Sequence, residues 1–381
     1  MFGRKLKLFR VFGFSVHVDV SWIVIALMVT WSLAEGFFPF EYRTLSAQTY
    51  WIMGVAGALG LFGSVVFHEL SHSLVARRYG LQMRGITLFI FGGVAEMDEE
   101  PASPKVEFLM ALAGPLSSLL LSGLFYGVYV FGQRSGWGAP IYGVFGYLGV
   151  INAILAGFNL VPAFPLDGGR VLRSILWGWR KDLLWGTRIS AAIGSGFGIF
   201  LVLYGVASIL QGNFIGGVWQ FLIGIFVRDA AKSAYQQLLT RQVLEGESVR
   251  RFMQPNPVTV NPSVTLSQLV DGYIYQHQHK MFPVVNGSEL VGCVELNQVK
   301  EIPRNEWPRR TVGEIAKPCS FDQAISPDAD AVTALAKMNQ SHTSRLLVMD
   351  RGRLIGTLSL RDLVRFLSLK EELEKDGRAA A

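Results

Sequence analysis

The sequence predicts a polytopic α-helical membrane domain of about six transmembrane helices, followed by a soluble α/β domain. Half of the 381 residues are hydrophobic and only 17% are charged, whereas ordinary soluble domains carry roughly 25% charged residues. The long apolar runs lie almost entirely before Tyr235, and the later sequence has the mixed composition of a soluble domain. These two observations divide the chain into a membrane part and a soluble part.

Six apolar segments are candidates for transmembrane helices. A helix that crosses the bilayer needs about 20 mainly apolar residues. The candidates are residues 18–37, 50–76, 106–131, 141–159, 183–210 and 214–227. The sixth is short, and we expect it to continue as an amphipathic helix through the sequence RDAAKSAYQQLL.

The cations lie in alternate loops, which predicts the orientation of the chain. Arginines and lysines precede the first segment, separate the second from the third and the fourth from the fifth, and follow the sixth, whereas only Arg43 and Arg134 lie in the other loops. Loops that carry the excess of Lys and Arg stay in the cytoplasm. We therefore expect a multi-pass protein of the cell membrane with both termini and the soluble part in the cytoplasm. The net charge of +6 is explained by these loops, so we expect no nucleic-acid partner.

The two cysteines, Cys293 and Cys319, both lie in the predicted soluble part. Two cysteines without a CxxC spacing indicate neither a disulfide framework nor a cysteine metal site. Because cytosolic thiols are kept reduced, we expect both cysteines to be unpaired.

The second apolar segment ends in the sequence HELSH, an HExxH pattern. His68 and His72 are four residues apart, so on a helix both imidazoles lie on one face and can bind one zinc ion. Glu69 is then placed to take a proton from a water molecule at the metal. Ionisable groups at membrane depth cost on the order of 2.5–3.5 kcal/mol each, so three of them in one turn indicate a shared partner. A structural polar cluster near the end of the span is the alternative.

A catalytic zinc usually has three protein ligands and an open position, so a third ligand is needed. His17 precedes the first span and is expected to be interfacial, and the other histidines lie in the soluble part. Asp167 is a better candidate, because it follows the fourth span at the same end of the membrane as the histidine pair. Pro162 and Pro165 break the helix before it.

Together, these two sequences resemble the site-2 protease family of intramembrane zinc metalloproteases, which pairs HExxH in one span with N-x-x-P…LDG two spans later. Here they read HELSH and NLVPAFPLDGG. The resemblance covers about residues 2–241. It implies one zinc ion per chain. It also implies a role for each site residue: the zinc ligands are His68, His72 and Asp167, the general base is Glu69, and Asn159 positions or polarises the substrate. A hydrogen bond to backbone freed by the prolines is the simpler role of the asparagine.

Two further sequences match this family. Residues 85–97, GITLFIFGGVAEM, resemble its membrane-associated β-hairpin, and residues 113–118, AGPLSS, resemble its G-P-x-x-S/N motif. Apolar residues alternate along the first part of the hairpin sequence, and Gly92 and Gly93 offer a bend. A strand edge near zinc can hold an unwound substrate as an additional strand. A plain connector is the alternative.

The soluble part contains an approximate repeat of about 60 residues, and a pair of such units can bury a core that one copy cannot. It resembles tandem CBS domains, which form a regulatory module that often binds adenine nucleotides. The second copy ends in GTLSLRDL, with Ser359 and Asp362 as candidate ribose contacts, whereas the first copy has Glu295 and Gln298 in those places. A docking or dimerisation module without a ligand is the alternative.

The expected domains are a membrane protease domain at residues 1–241, a linker with the first CBS domain at 242–310, the second CBS domain at 311–370 and a tail at 371–381. The expected activity is cleavage of transmembrane segments of single-span regulatory membrane proteins, modulated by the CBS domains. The expected partners are the substrate, the lipid bilayer, an adenine nucleotide and a second copy bound through the CBS domains.

Two other functions fit parts of the sequence. A CBS-gated ion channel or transporter would use the histidines and Glu69 as a metal or ion site, since charged residues inside spans mark ion paths. An inactive protein that binds membrane segments is the third possibility, and the intact Glu69 argues against it.

Overall fold

The computed structural model describes residues 5–81, 83–89, 92–97, 100–287, 289–319, 323–341 and 343–366. The chain forms two compact units, Met1–Gln237 and Leu238–Ala381, which are described separately. The predicted tail lies outside the described residues. The domain boundaries near residues 242 and 311 stay predictions.

Within the described residues, six helices are long and apolar enough to cross a membrane. They are α1 (Val20–Glu41), α2 (Ala47–Arg78), α3 (Pro104–Arg134), α4 (Ala139–Asn159), α6 (Leu183–Leu210) and α7 (Phe214–Leu244). Each contains one of the six predicted segments apart from a residue or two at its ends, and α7 continues beyond the short sixth segment as expected. The predicted polytopic helical architecture is therefore confirmed.

Polar side chains cap the N-terminal ends of several of these helices. They accept hydrogen bonds from backbone amides that have no partner within the helix. Ser46 accepts from the amide of Thr49 at the start of α2. Ser103 accepts from the amide of Val106 at the start of α3, where Pro104 fits the first helical position.

A four-stranded sheet accompanies the helices. Its strands are β1 (Lys5–Val11), β2 (Phe14–Asp19), β3 (Met83–Phe89) and β4 (Gly92–Met97), in the spatial order β1-β2-β3-β4. β2 and β3 are parallel, and the other two pairs are antiparallel. The predicted hairpin is β3 with β4. The expected bend at Gly92 and Gly93 is wrong, because these residues pair with Phe89 and Leu88 inside the ladder.

The strands β1 and β2 are absent from the sequence prediction, which treated the N-terminal residues as a basic flank of the first span. The alternation that marks a half-buried strand is present in FSVHVD. Phe14, Val16 and Val18 are buried, and the residues between them are less so.

A short helix, α5 (Asp167–Arg180), lies between α4 and α6 and was also missed. α4 ends at Asn159, and the proline-containing turn leads directly into the first residue of α5. A side chain at Gly169 would overlap the backbone nitrogen of Phe164, so the chain can fold back at this point only with a glycine there.

The second unit contains two similar copies, each with its own hairpin. The hairpins are β5 (Met281–Asn286) with β6 (Glu289–Glu295), and β7 (Arg345–Asp350) with β8 (Arg353–Ser359). Helices of the first copy are Leu266–Leu269, Tyr275–His277 and Leu296–Lys300, and those of the second are Val312–Ile315 and α8 (Ala331–Gln340). Short strands at Gln254–Pro255 and Ala324–Ile325 flank the second hairpin.

The two copies exchange their leading segments. Leu244 and Val249 lie at the N-terminal end of the unit, before the first hairpin, but are buried with Leu346 and Leu358 of the second copy. In return, Val312 is buried in the core of the first copy. Each hydrophobic core therefore contains residues from the leading segment of the other copy, which explains why the repeat occurs as a pair.

The expectation of unpaired cysteines is wrong, because Cys293 and Cys319 form a disulfide. An antiparallel bridge brings them together: the amide of Cys293 donates to the carbonyl of Lys317 at 2.8 Å, and the amide of Lys317 donates in return at 3.1 Å. This pairing depends on a contact between separate segments, which cysteine spacing does not reveal. Of the two observations behind the expected cytoplasmic placement of this unit, only the distribution of the loop cations is left.

Candidate metal centre and active site

The two histidines of HELSH lie near the end of α2 and face the same side. Because they are one helical turn apart, their Nε2 atoms come within 3.1 Å of each other. Both side chains are buried. The arrangement predicted from the i, i+4 spacing is present.

Asp167 lies next to this pair of histidines. Its Oδ2 atom lies 3.0 Å from Nε2 of His68 and 3.2 Å from Nε2 of His72. The proline-containing turn after α4 delivers the aspartate at the first residue of α5. His17, by contrast, lies in β2 and is not one of these three side chains.

Residues of α3 form hydrogen bonds with the Nδ1 atoms of both histidine rings. Nδ1 of His68 lies 2.9 Å from Oγ of Ser118, and Nδ1 of His72 donates to the carbonyl oxygen of Met110 at 2.6 Å. Hydrogen bonds at Nδ1 direct the Nε2 lone pair of each imidazole toward a metal. This support could not be predicted from the spacing of the histidines, although Ser118 belongs to the AGPLSS motif.

Gly114 of α3 keeps the centre open. A Cβ atom at this position would lie 2.5 Å from Nε2 of His68 and closer still to Nε2 of His72. Any side chain here would therefore occupy the space next to the ligand atoms. Two imidazole nitrogens and one carboxylate oxygen around such a space fit zinc, which binds three protein ligands in catalytic sites.

A cavity of about 290 Å³ lies beside His68, one of the three candidate ligands. His68, Glu69 and Asn159 line it, together with the backbone of Gly92 and Gly93. β4 runs close to Glu69, because a Cβ atom at Gly93 would lie 2.5 Å from its Cγ. The remaining wall is mostly apolar, with Trp219, Ile223, Phe226 and Val227 of α7 among its residues.

Known proteins are similar in sequence to this chain along most of its length. The family model of Peptidase family M50 matches residues 56–143 and 136–204, and that of the CBS domain matches residues 249–303 and 312–369. A zinc metalloprotease from Methanocaldococcus jannaschii is 30% identical over 378 residues, which cover 97% of this chain and 99% of the relative.

The chain belongs to peptidase family M50, the site-2 protease family. It is therefore a metalloprotease and a multi-pass membrane protein, and it carries tandem CBS domains. A relative from Synechocystis sp., named as a zinc metalloprotease, is 32% identical over 368 residues, or 96% of each chain. Among solved structures, a site-2 protease from M. jannaschii is 30% identical and covers 60% of this chain and 94% of that one, with a TM-score of 0.43.

The M50 chain has a second cavity, of about 540 Å³, in its CBS unit. It lies beside Glu295, the position at which the first copy departs from the CBS pattern. Lys280, Lys300 and Arg345 also line it. The guanidinium of Arg345 donates to Nδ1 of His279 at 2.8 Å, and partial burial, with the charge of Arg345, lowers the pKa of His279 to about 4.

The candidate ribose contacts of the second copy bond to protein groups instead. The hydroxyl of Ser359 donates to Asp362 Oδ2 at 2.5 Å, and the amide of Gln254 donates to Oδ1 at 2.8 Å. Glu295 accepts from Gln323 at 3.0 Å, and Gln298 caps the amide of Glu295 at 2.6 Å. The open cavity of this M50 protease is thus lined by the first copy's Glu295, and neither Ser359 nor Asp362 is among its lining residues.

Proposed function

We propose that this M50 protease cleaves transmembrane segments of single-span regulatory membrane proteins at one zinc ion bound by His68, His72 and Asp167. The observation that carries the proposal is the meeting of three ligand atoms, 3.0–3.2 Å apart, beside the cavity lined by Glu69. Three residues from two distant parts of the chain provide two imidazole nitrogens and one carboxylate oxygen, the kind of ligand set that a catalytic zinc uses.

Zinc, when bound, is a Lewis acid that polarises a peptide carbonyl and lowers the pKa of water to about 7. Glu69 acts as the general base: its carboxylate takes a proton from the attacking water and passes it to the leaving amine. The amide of Asn159, in the same cavity, donates a hydrogen bond to the oxygen on which negative charge develops.

The apolar wall and the strand edge favour an unwound membrane segment as substrate. Peptide bonds in a helix are shielded by their own hydrogen bonds, so the segment must be extended before hydrolysis. β4 is an outer strand of the described sheet, and an extended peptide can pair with it. Trp219, Ile223 and Phe226 then offer contacts to apolar side chains of that peptide.

The cation distribution supports a cell-membrane protein with both termini and the CBS unit in the cytoplasm. In this orientation the CBS unit can sense a cytoplasmic ligand. The cavity beside Glu295 offers three cations to the phosphates of an adenine nucleotide, Lys280, Lys300 and Arg345. We propose that nucleotide binding there modulates proteolysis, or that the CBS pair joins two copies of the chain.

The metal centre is tested by zinc analysis of the purified full-length protein. We expect about one zinc per chain, lost in His68→Ala and Asp167→Ala and retained in inactive Glu69→Gln. Membrane proteomes of cells that carry wild type or Glu69→Gln then identify the substrate as a protein that accumulates uncut. Cleavage by Glu69→Gln would contradict the assignment of the base.

Titration with ATP and AMP, compared between wild type and Lys300→Ala, tests the second cavity. The ion-channel alternative is not favoured, since the chain belongs to a metalloprotease family.

A further inference from the structure

One face of α3 contacts the metal centre at three successive positions. Met110, Gly114 and Ser118 are spaced by four residues and are all buried. Met110 and Ser118 bond to the two histidines, and Gly114 provides the space between them. This helix therefore fixes the two ligands that come from α2.

The same face continues one turn earlier to Glu107, which is fully buried. Its Oε1 accepts a hydrogen bond from Nε of Arg173 at 2.6 Å, and the same oxygen contacts Nη2 of Arg173. Arg173 is also buried and lies in α5, six residues after Asp167. The ion pair thus joins α3 to the helix that begins with the third ligand.

Further contacts keep Arg173 in one place. Its Nη2 donates to Oε2 of Glu100 at 3.2 Å, and its guanidinium lies 5.2 Å from the ring centroid of Phe164, in the turn before Asp167. Arg170 adds a longer contact to Glu107, at 3.9 Å. The arginine therefore links α3, the turn and α5 at a single point.

We propose that the Glu107–Arg173 pair is a positioning contact for Asp167, which holds the start of α5 against α3 so that the carboxylate reaches the histidines. The inference rests on the zinc site proposed above. α5 has no side-chain cap at its first residue, so contacts further along the helix contribute to its position together with the turn before it. A short helix is rigid, and fixing Arg173 therefore also fixes Asp167.

The type of contact supports this role. A buried ion pair is often no more stabilising than two well-packed apolar residues of similar volume, and its best-attested use is to specify one geometry. Stability and positioning can therefore be separated by replacing both charged residues with apolar ones.

The test uses the full-length protein in detergent, loaded with zinc or with cobalt(II) in its place. The variants are Arg173→Met and the double variant Glu107→Leu with Arg173→Met, and Asp167→Ala is the reference for a lost third ligand. Arg180→Met is the matched control on the same helix, because Arg180 packs over Trp185 of α6. The readouts are the cobalt absorption spectrum, the rate of metal release to a chelator and the melting temperature.

We expect both Arg173 variants to release the metal faster than wild type, by roughly the 10–100-fold that loss of a ligand's direct hydrogen-bond partner costs in metal affinity, because Asp167 would be displaced. Their cobalt spectra should shift toward that of Asp167→Ala, and Arg180→Met should match wild type. The double variant should melt closer to wild type than Arg173→Met does, because no buried charge is left unpaired.

A double variant with the wild-type spectrum and release rate would overturn the positioning role, even if Arg173→Met fails to fold. If His68→Ala and Asp167→Ala also keep their metal, the proposed zinc site itself is wrong. If these two lose metal while the double variant keeps it, only the positioning role is wrong.

Discussion

Oδ2 of Asp167 lies 3.0 Å from Nε2 of His68, although 99 positions separate the two residues in the sequence. The contact joins the end of one membrane helix to a turn that follows another. Because the aspartate also lies 3.2 Å from His72, a single carboxylate oxygen completes a three-atom site.

Replacement of Asp167 by alanine tests this contact directly. Without the oxygen ligand, two imidazoles alone hold the ion, so we expect zinc content to fall well below one per chain and proteolysis to be lost. Asp167→Glu keeps the ligand type but moves it by one methylene, and we expect partial retention. Equal zinc content in wild type and Asp167→Ala would contradict the ligand role.

Gly114→Ala tests whether the space beside the histidines must stay free. The added methyl group would lie 2.5 Å from Nε2 of His68, so we expect loss of zinc. Gly123→Ala is the matched control, because it lies on the same helix and its Cβ would have no neighbour within 4 Å. Metal analysis of both proteins after identical purification checks the difference.

Ser118→Ala removes the hydrogen-bond partner of Nδ1 of His68. Loss of such a partner typically lowers metal affinity or activity 10–100-fold. We expect weaker zinc binding in competition with a chelator and a nearly unchanged melting temperature of the metal-free protein. Ser117→Ala is the comparison, since that hydroxyl bonds to the carbonyl of Gly114 within the helix.

The spans were predictable because the thickness of the bilayer fixes how long an apolar helix must be. The centre was predictable in part, because i, i+4 histidines on a helix share a face and Asp167 follows a proline break. The sequence does not predict the contacts of the histidines with Met110 and Ser118, or the Glu107–Arg173 pair. These contacts depend on where α3 crosses its neighbours. Glu107 could have been singled out from the sequence, because it is an ionisable residue within a predicted span.

The CBS unit should become less stable in mild acid because of His279. Its pKa falls from 6.5 in the unfolded chain to about 4 in the fold, so between these values the unfolded state binds more protons. The contribution of His279 to the free energy of unfolding is therefore complete above pH 6.5, and it is lost as the pH falls toward 4. Thermal unfolding of wild type and His279→Gln at pH 5 and pH 7.5 isolates it, with a smaller pH effect expected in the variant.

The disulfide between Cys293 and Cys319 closes a loop with a sequence separation of 26. Crosslinks of this kind typically contribute about 2–4 kcal/mol to folding stability. We expect Cys293→Ser and Cys319→Ser to lower the unfolding free energy of the CBS unit by a similar amount. Mass spectrometry with thiol labelling checks the bond itself, and full labelling of both cysteines in the native protein would contradict it.

The exchange of leading segments between the CBS copies affects how this region emerges from the ribosome. Leu244 and Val249 are synthesised early, yet the strands that bury them, with Leu346 and Leu358, come near the end. A chain that stops before the second hairpin therefore leaves these early residues exposed to water. Premature termination anywhere in this region should produce material for degradation rather than a shorter folded CBS unit.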